Sequence, residues 1–272
     1  MDLILTSQDD LASLNIREKL LTMDNWKKVG VFQNFPVYKS ERYYMVHIKG
    51  PKIYAENVDR GIREKLGIKF ENIIVASKHR SKAELRSLTV HPIGNWGKAE
   101  LGGREKCVVL TNPHLMTQAL RILKKNQIEG YSVSFEATHH GPYLETPTFF
   151  IEIGSTENEW RDEKAGEAIA RTIMELEERR YAPALGIGGG HYMPRITDVA
   201  LKYQISFGHM IPRYAMEFID EDIVRRACKK SDDCQIAYIH RKGLKGEGRR
   251  KIENILSSLG IKVVSSKDLQ EL

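Results

Sequence analysis

The chain has 272 residues, 41 % of them hydrophobic, and carries 42 Lys and Arg against 36 Asp and Glu, a formal charge of +6. That length holds one large α/β domain or two small ones, and no apolar run approaches the roughly 20 residues a bilayer crossing needs. The opening "MDLILTSQDDLASL" lacks a basic region, and Cys107, Cys228 and Cys234 are odd in number and without CxxC spacing, so neither a secretory signal nor a disulfide framework is expected, and a reducing cytoplasm is.

In chain order, "DLILTS" predicts a short strand. "SQDDLASLNIREKLLTM" predicts a helix capped by Ser7, Asp9 or Asp10, with Leu11, Leu14, Ile16, Leu20 and Leu21 on its apolar face. "KKVGVFQ", "FPVYKS" and "YYMVHIK" predict short strands, the last two joined by a tight turn at Ser40-Glu41. "AENVDRGIREKLG" is a helix closed by Gly67. "ENIIVASK" is a buried strand, because its apolar run is continuous. Residues 87–103, "SLTVHPIGNWGKAELGG", break the rhythm; their Gly and Pro content predicts a long functional excursion. "NPHLMTQALRILKKNQ" is a helix, followed by the strands "YSVSFEAT" and "PTFFIEIG". "ENEWRDEKAGEAIARTIMELEERR" predicts the longest helix. "PALGIGGGH" is a strand entering a glycine-rich turn. "EDIVRRACKK" (helix), "CQIAYIHR" (strand), "EGRRKIENILSSLG" (helix) and "IKVVSS" (strand) complete the chain. The alternation predicts an α/β fold over residues 1–272 as one domain: a mixed, largely parallel sheet with helices on both faces.

Three strand ends carry chemistry. The first holds Ser77, His79, Ser81 and His91. The second is "EATHHGP", with Glu136, His139 and His140. The third is "GIGGGHYMPR", with Gly188, Gly189, Gly190, His191 and Arg195. Ligands of open α/β sheets sit beyond the carboxyl ends of strands, so the three are expected to converge. A catalytic zinc takes three protein ligands and leaves one position for water. His139, His140 and His191, with Glu136 as a carboxylate candidate, match that requirement. Neighbouring residues of a strand face opposite ways, so His139 and His140 share a metal only if the chain turns, and Gly141-Pro142 permits a turn. Each histidine taken singly also fits a satisfied hydrogen-bonding residue. "GIGGGH" lacks the dinucleotide spacing, and its amides are expected to approach a phosphate or sugar. Arg195 suits a carboxylate or phosphate, or a surface acid. His209 is a weaker further ligand, and His47, His114 and His240 carry no special signal. "HRKGLKGEGRRK" (240–251) reads on charge pattern as a solvated loop and first helical turn; its sharper reading is a contact for a phosphate backbone.

Together "SKHRSKAELRSLTVHPIGNWG", "FEATHHGP", "GIGGGHYMPR" and "FGHMIPRY" resemble the zinc-dependent D-aminoacyl-tRNA deacylases of archaea and plants, over the chain from its first strand to about Tyr214. The resemblance implies a core similar to peptidyl-tRNA hydrolase and the nucleoside phosphorylases. It implies a zinc enzyme hydrolysing the ester between a D-amino acid and tRNA, with no DNA or membrane partner, and we expect a monomer. On local chemistry, zinc falls to His139, His140 and His191. His79, Glu136 and His140 are the catalytic candidates, with His79 or the unliganded histidine protonating the leaving ribose oxygen. Gly188, Gly189, Gly190 and Arg195 are the substrate contacts, the amides holding an oxyanion or the terminal adenosine. Two other classes stay open: a phosphate-dependent nucleoside enzyme, and a tRNA-binding protein with a structural metal.

Overall fold

A computed structural model describes residues 1–81 and 84–272; Lys82 and Ala83 of the first histidine-bearing stretch lie outside the described residues. The first part of the chain forms β1 (Asp2–Ser7), α1 (Leu11–Met23), β2 (Lys27–Phe32), β3 (Phe35–Lys39), β4 (Tyr43–Ile48), α2 (Val58–Leu66) and β5 (Ile73–Arg80). Then come β6 (Ser87–Pro92), β7 (Gly94–Asn95), β8 (Cys107–Val108), α3 (Pro113–Lys125), β9 (Ser132–Phe135) and β10 (Thr148–Ser155). The rest is α4 (Glu157–Trp160), α5 (Glu163–Met174), β11 (Ala182–Ile187), α6 (Pro194–Lys202), β12 (Ile205–Ile211), α7 (Glu221–Lys229), β13 (Ile236–Ile239), α8 (Gly246–Ser258) and β14 (Lys262–Val264).

Among the described residues the main sheet has eight strands in the order β2-β3-β4-β1-β5-β10-β6-β9, and a second has four, β12-β11-β13-β14. β4, β1, β5 and β10 run parallel. β6 is antiparallel to β10, β9 is parallel to β6, and β2-β3-β4 is an antiparallel meander. The second sheet is parallel throughout. This is the mixed, largely parallel arrangement expected from the alternation.

Helices cover both faces, as continuous apolar strands require. Ile4, Ile74, Ala76, Leu88 and Ile151 pack against α1, α3 and α5 through Ile16, Leu20, Leu120 and Ile169. On the other face, Leu5, Val75 and Phe150 meet Val58 and Ile62 of α2. α3 is buried along most of its length because it lies between the sheets: Phe207 and Met210 of β12 share its core, and Thr117 Oγ1 accepts the Phe207 N–H at 2.8 Å. α7 and α8 cover the far side of the small sheet.

Two local expectations are overturned and two elements go unforeseen. The predicted longest helix is two helices, α4 and α5. Asp162 breaks it by capping α5 at the Lys164 N–H (2.9 Å), and Asn15 Nδ2 donates to the Trp160 and Asp162 carbonyls across the break. The second part stops at Met174, where Arg42 takes the Met174 and Leu176 carbonyls and the Tyr43 hydroxyl donates to Ile173 O. Residues 87–92 are no excursion but a buried central strand, β6. Its Pro sits at the last strand position, where a missing N–H is tolerated. Finally, α6 and β12 carry no signal in the sequence reading. β12 ("ISFGHMI") is interrupted by Gly208 and His209, and that glycine is needed because a Cβ would lie 2.3 Å from Ser231.

A candidate metal centre and reaction crevice

The polar residues of the site grow out of strand alternation. Ser77 and His79 of β5 follow Val75 on one face; Glu152 of β10 follows Phe150; Thr89 and His91 of β6 lie across from them. One face of the main sheet thus passes from apolar to ionisable at its edge. Gly154 makes room for this, since a Cβ there would meet His79 Cδ2 at 3.0 Å and Ser87 Oγ at 2.5 Å.

Residues 136–141 form the seam between the sheets. Glu136 N–H donates to Val90 O, Ala137 N–H to His191 O, Thr138 N–H to Met210 O and Gly141 N–H to Leu101 O. His140 takes a left-handed backbone (φ 46), so the chain turns and the two neighbouring rings come together, centroids 4.4 Å apart. The condition for a shared ion is met.

Five imidazoles and two carboxylates meet here. His139 Nδ1 donates to Ala137 O (2.7 Å), His140 Nδ1 to Gly141 O (2.6 Å) and His91 Nδ1 to Pro92 O (3.1 Å). A carbonyl only accepts, so each Nδ1 carries a proton, and in the neutral ring Nε2 keeps its lone pair. His91, His139 and His140 each offer a ligand nitrogen, all within 4.8 Å of one another. A second group is His79, Glu136 and His191, and a third is His91, Glu136 and Glu152. Glu136, fully buried, lies 2.9 Å from His191 Nε2, 3.2 Å from His79 Nδ1 and 3.6 Å from His139 Nε2. Neither of its oxygens makes an aligned hydrogen bond, and neither does His91 Nε2, 3.3 Å from Glu152. Buried polar atoms left in this state call for a further partner.

The electrostatics divide the rings. Burial, with His91 and His140 nearby, holds His139 well below the ordinary histidine range, and burial and His91 push His140 down to about 4. Burial also opposes charge on His79 and His91, but Glu136 and Glu152 respectively outweigh it and raise both. For Glu136 burial is likewise the largest influence, opposed and outweighed by His191 and His79, which hold the carboxyl well below its usual value.

Of the residues expected from sequence, His79, Glu136, His139, His140 and His191 converge. The ring nitrogens of His139 and His140 group most tightly with His91, and His191 groups with His79 and Glu136, its ring 4.5 Å from that of His139. The glycine turn is corrected. The Gly188 and Gly189 amides are consumed by Ile211 O (2.8 Å) and Gly243 O (3.3 Å), which leaves neither for an oxyanion or a phosphate; only the exposed Gly190 stands clear. Arg195 lines a different concavity, with His240 and Lys242. The basic stretch divides: Arg241 and Lys242 are exposed in a loop, while Arg249 pairs with Glu253 and Lys251 donates to Met216 O. His91 was marked at the first strand end but given no ligand role, and Glu152 and Tyr192, whose hydroxyl is 3.0 Å from His79 Nε2, are the residues sequence reasoning passed over. A glutamate inside the apolar run of "PTFFIEIG" was the available signal, since a buried carboxylate needs partners.

His209 is not a ligand. Its Nε2 donates to Val109 O (2.8 Å) and its Nδ1 faces the Thr138 hydroxyl (3.1 Å). Burial pushes its pKa down to about 3, and burial with Arg17 and Lys52 nearby pushes that of the buried His47 down to about 4. The unfolded chain binds these protons near pH 6.5, so stability is full above that value and falls as pH drops toward 4. Each ring contributes a slope of up to about 1.4 kcal/mol per pH unit. Urea midpoints from pH 7 to 4.5 measure it, and His47→Gln is expected to flatten the profile by one ring's share; an unchanged slope would exclude this assignment.

Two grooves flank His139 and His140. One, of about 350 Å³, is lined by Lys52, Lys78, Arg80, His79 and Glu152. The other, also about 350 Å³, is lined by Trp96, Leu101, Tyr214 and Phe218.

Comparison with known proteins agrees with this chemistry. The family model described as D-aminoacyl-tRNA deacylase matches residues 66–264. The D-aminoacyl-tRNA deacylase of Thermococcus kodakarensis is 39 % identical over 272 residues, covering 97 % of this chain and 99 % of that protein. That of Methanosarcina mazei is 40 % identical, covering 98 % and 93 %. A solved structure described as a conserved protein of unknown function superposes with a TM-score of 0.92 at 31 % identity, covering 99 % of this chain and 96 % of that one. The chain belongs to the D-aminoacyl-tRNA deacylase family.

Proposed function

We propose that the reaction of this family, hydrolysis of the ester between a D-amino acid and tRNA, takes place at the seam of the two sheets, with a zinc ion as cofactor. The observation that carries this reading is that His91, His139 and His140 each bring a ring nitrogen within 4.8 Å of the others, each with its Nδ1 tied to a carbonyl. Such orientation of ligand histidines is how protein metal sites are held, and imidazole suits zinc. These three residues would hold the ion. When bound, it would polarise the ester and acidify a water.

The chain's own residues do the rest. Glu136 sits between His79, His139 and His191, where it can hold a proton drawn from the attacking water. His79, fixed by Glu136 and Tyr192 and with its pKa raised, is the acid for the leaving ribose oxygen. The Pro92 carbonyl orients His91, and Glu152, 3.3 Å from its Nε2, forms with it and Glu136 a further group of ligand atoms. Lys78 and Arg80 suit the ribose-phosphate end of the substrate, and the apolar groove with its exposed Leu101 and Tyr214 suits the amino-acid side chain. With the ester fixed between the grooves, one configuration at the α-carbon directs the side chain into the apolar groove and the other directs it against the rim. The chain acts as a monomeric single domain in the cytoplasm, a reading supported by its free thiols and a tRNA substrate.

Incubation with D-tyrosyl-tRNA and L-tyrosyl-tRNA, with and without chelator, tests the proposal. The D-ester is expected to be cleaved and the L-ester spared. Chelator should stop turnover and added zinc restore it. Full turnover in chelator by protein free of transition metal on elemental analysis would overturn the zinc assignment; turnover of neither ester would overturn the reaction.

A further inference from the structure

A third concavity lies beyond the loop that carries His191. In the small sheet β12 lies on one side of β11 and β13 on the other. The chain leaves β11 into α6, which packs into the main core, and leaves β13 toward α8, which packs on the opposite face. Parallel neighbours whose connections part to opposite faces leave a crevice beyond their carboxyl ends, where ligands of open α/β sheets bind. Here that crevice has a volume of about 640 Å³, within the range of small-molecule sites, and is lined by Arg195, Tyr238, His240, Lys242, Ser266 and Lys267.

Its charge is one-sided. The Arg195 guanidinium is positioned by neutral oxygens, the Tyr238 hydroxyl (2.9 and 3.1 Å) and Ser266 Oγ (2.8 Å). Among the described residues no carboxylate lies within ion-pair distance of Arg195, Lys242 or Lys267. Asp268, the nearest acid in sequence, is folded back on Ser265, accepting its N–H and hydroxyl at 2.8 and 2.7 Å. A preorganised arginine with two lysines and no anion of its own is chemistry that takes phosphate.

We propose that this crevice binds a ribose-phosphate group, supplied by the tRNA backbone or by a free nucleotide. His191 and Arg195 are four residues apart, so the two sites lie within about 14 Å along the backbone. A tRNA with its 3′ ester in the histidine crevice can lay a nearby phosphate here. The tRNA source rests on the deacylase reading; the nucleotide source does not.

The test is the double variant Lys242→Gln/Lys267→Gln, both exposed, against Lys27→Gln/Lys28→Gln on β2, the opposite edge of the main sheet. Both lose the same charge. Uncharged tRNA binding is measured against salt, and melting is measured with and without AMP. If the backbone supplies the phosphate, the crevice variant is expected to show a log–log salt slope shallower by roughly 1.5 to 2, with KM for D-tyrosyl-tRNA raised and kcat held; the β2 control keeps the wild-type values. If a free nucleotide supplies it, AMP raises the melting temperature of the wild type and the control but not of the crevice variant, and the salt slope stays. Either result upholds the site and names its source. No change in either measurement, or equal loss in the β2 control, would overturn it. Failure of the deacylase reading shows separately, as wild-type protein that binds tRNA with the expected salt slope but cleaves neither ester.

Discussion

His139→Ala and His140→Ala are each expected to cut D-aminoacyl-tRNA hydrolysis by ~100-fold or more, with His91→Ala as severe. His91, His139 and His140 form one cluster of ring nitrogens within 4.8 Å, so removal of one leaves two ligands where a zinc site needs three. Bound zinc should fall in parallel, measured on the same preparations. Affinity for tRNA should change much less, because most of it comes from phosphate contacts elsewhere. His139 and His140 are half-buried, so their loss disturbs packing little; His91 is fully buried and its loss also strands Glu152. Single-turnover hydrolysis and thermal melting separate the effects. A His140→Ala protein that melts early yet keeps wild-type turnover per folded molecule would move the pair from the reaction centre to the core.

Asp10→Ala is expected to cost about 3–5 kcal/mol of stability, the usual range for removing one partner of a buried ion pair. Lys52 Nζ lies 2.6 Å from Asp10 Oδ2 with both side chains almost wholly buried, so the lysine would be left charged without a partner. Asp10 also caps α1 at the Ser13 N–H (2.9 Å) and accepts the Lys78 N–H (3.0 Å), fastening the first helix to the end of β5. Burial works against its charge, yet Lys52 and these hydrogen bonds hold its pKa below the ordinary carboxylate value. The contribution is therefore present above about pH 4 and lost as acid protonates the folded form. Urea unfolding at pH 7 checks the magnitude. Replacing both partners, Asp10→Leu with Lys52→Met, should recover much of the loss, since no charge is then stranded. A single-variant loss below about 1 kcal/mol would show that water already reaches the pair.

Much of this molecule is legible in its sequence because the signals are local. The unbroken apolar runs at 73–76 and 149–151 read as strands covered on both faces, as they are, and Gly67 closes α2 in the left-handed conformation expected of it (φ 65). The side-by-side histidines followed by Gly-Pro announce a turn with ligands on it, and the three strand ends that carry histidine do meet. Membership of the deacylase family was equally visible in four short motifs.

What the tertiary structure decided is which of these groups share a partner. His91 stands out in "LTVHP" only as one of several histidines and Glu152 looks unremarkable in "FFIEI", because a buried strand shows only that its residues have partners and not which ones. Register alone brings His91, Glu152 and His79 onto one face. The glycines at 188 and 189 read as open amides, but the His240–Gly243 turn, some fifty residues later, takes that space and one of those hydrogen bonds. Arg195 follows His191 by four residues, yet the start of α6 turns it into another crevice. Local sequence determines where the chain turns, caps and buries itself, because those choices depend on neighbours within a few residues. Which imidazole faces which carboxylate depends on strand order and on the seam between two sheets, which no short stretch encodes.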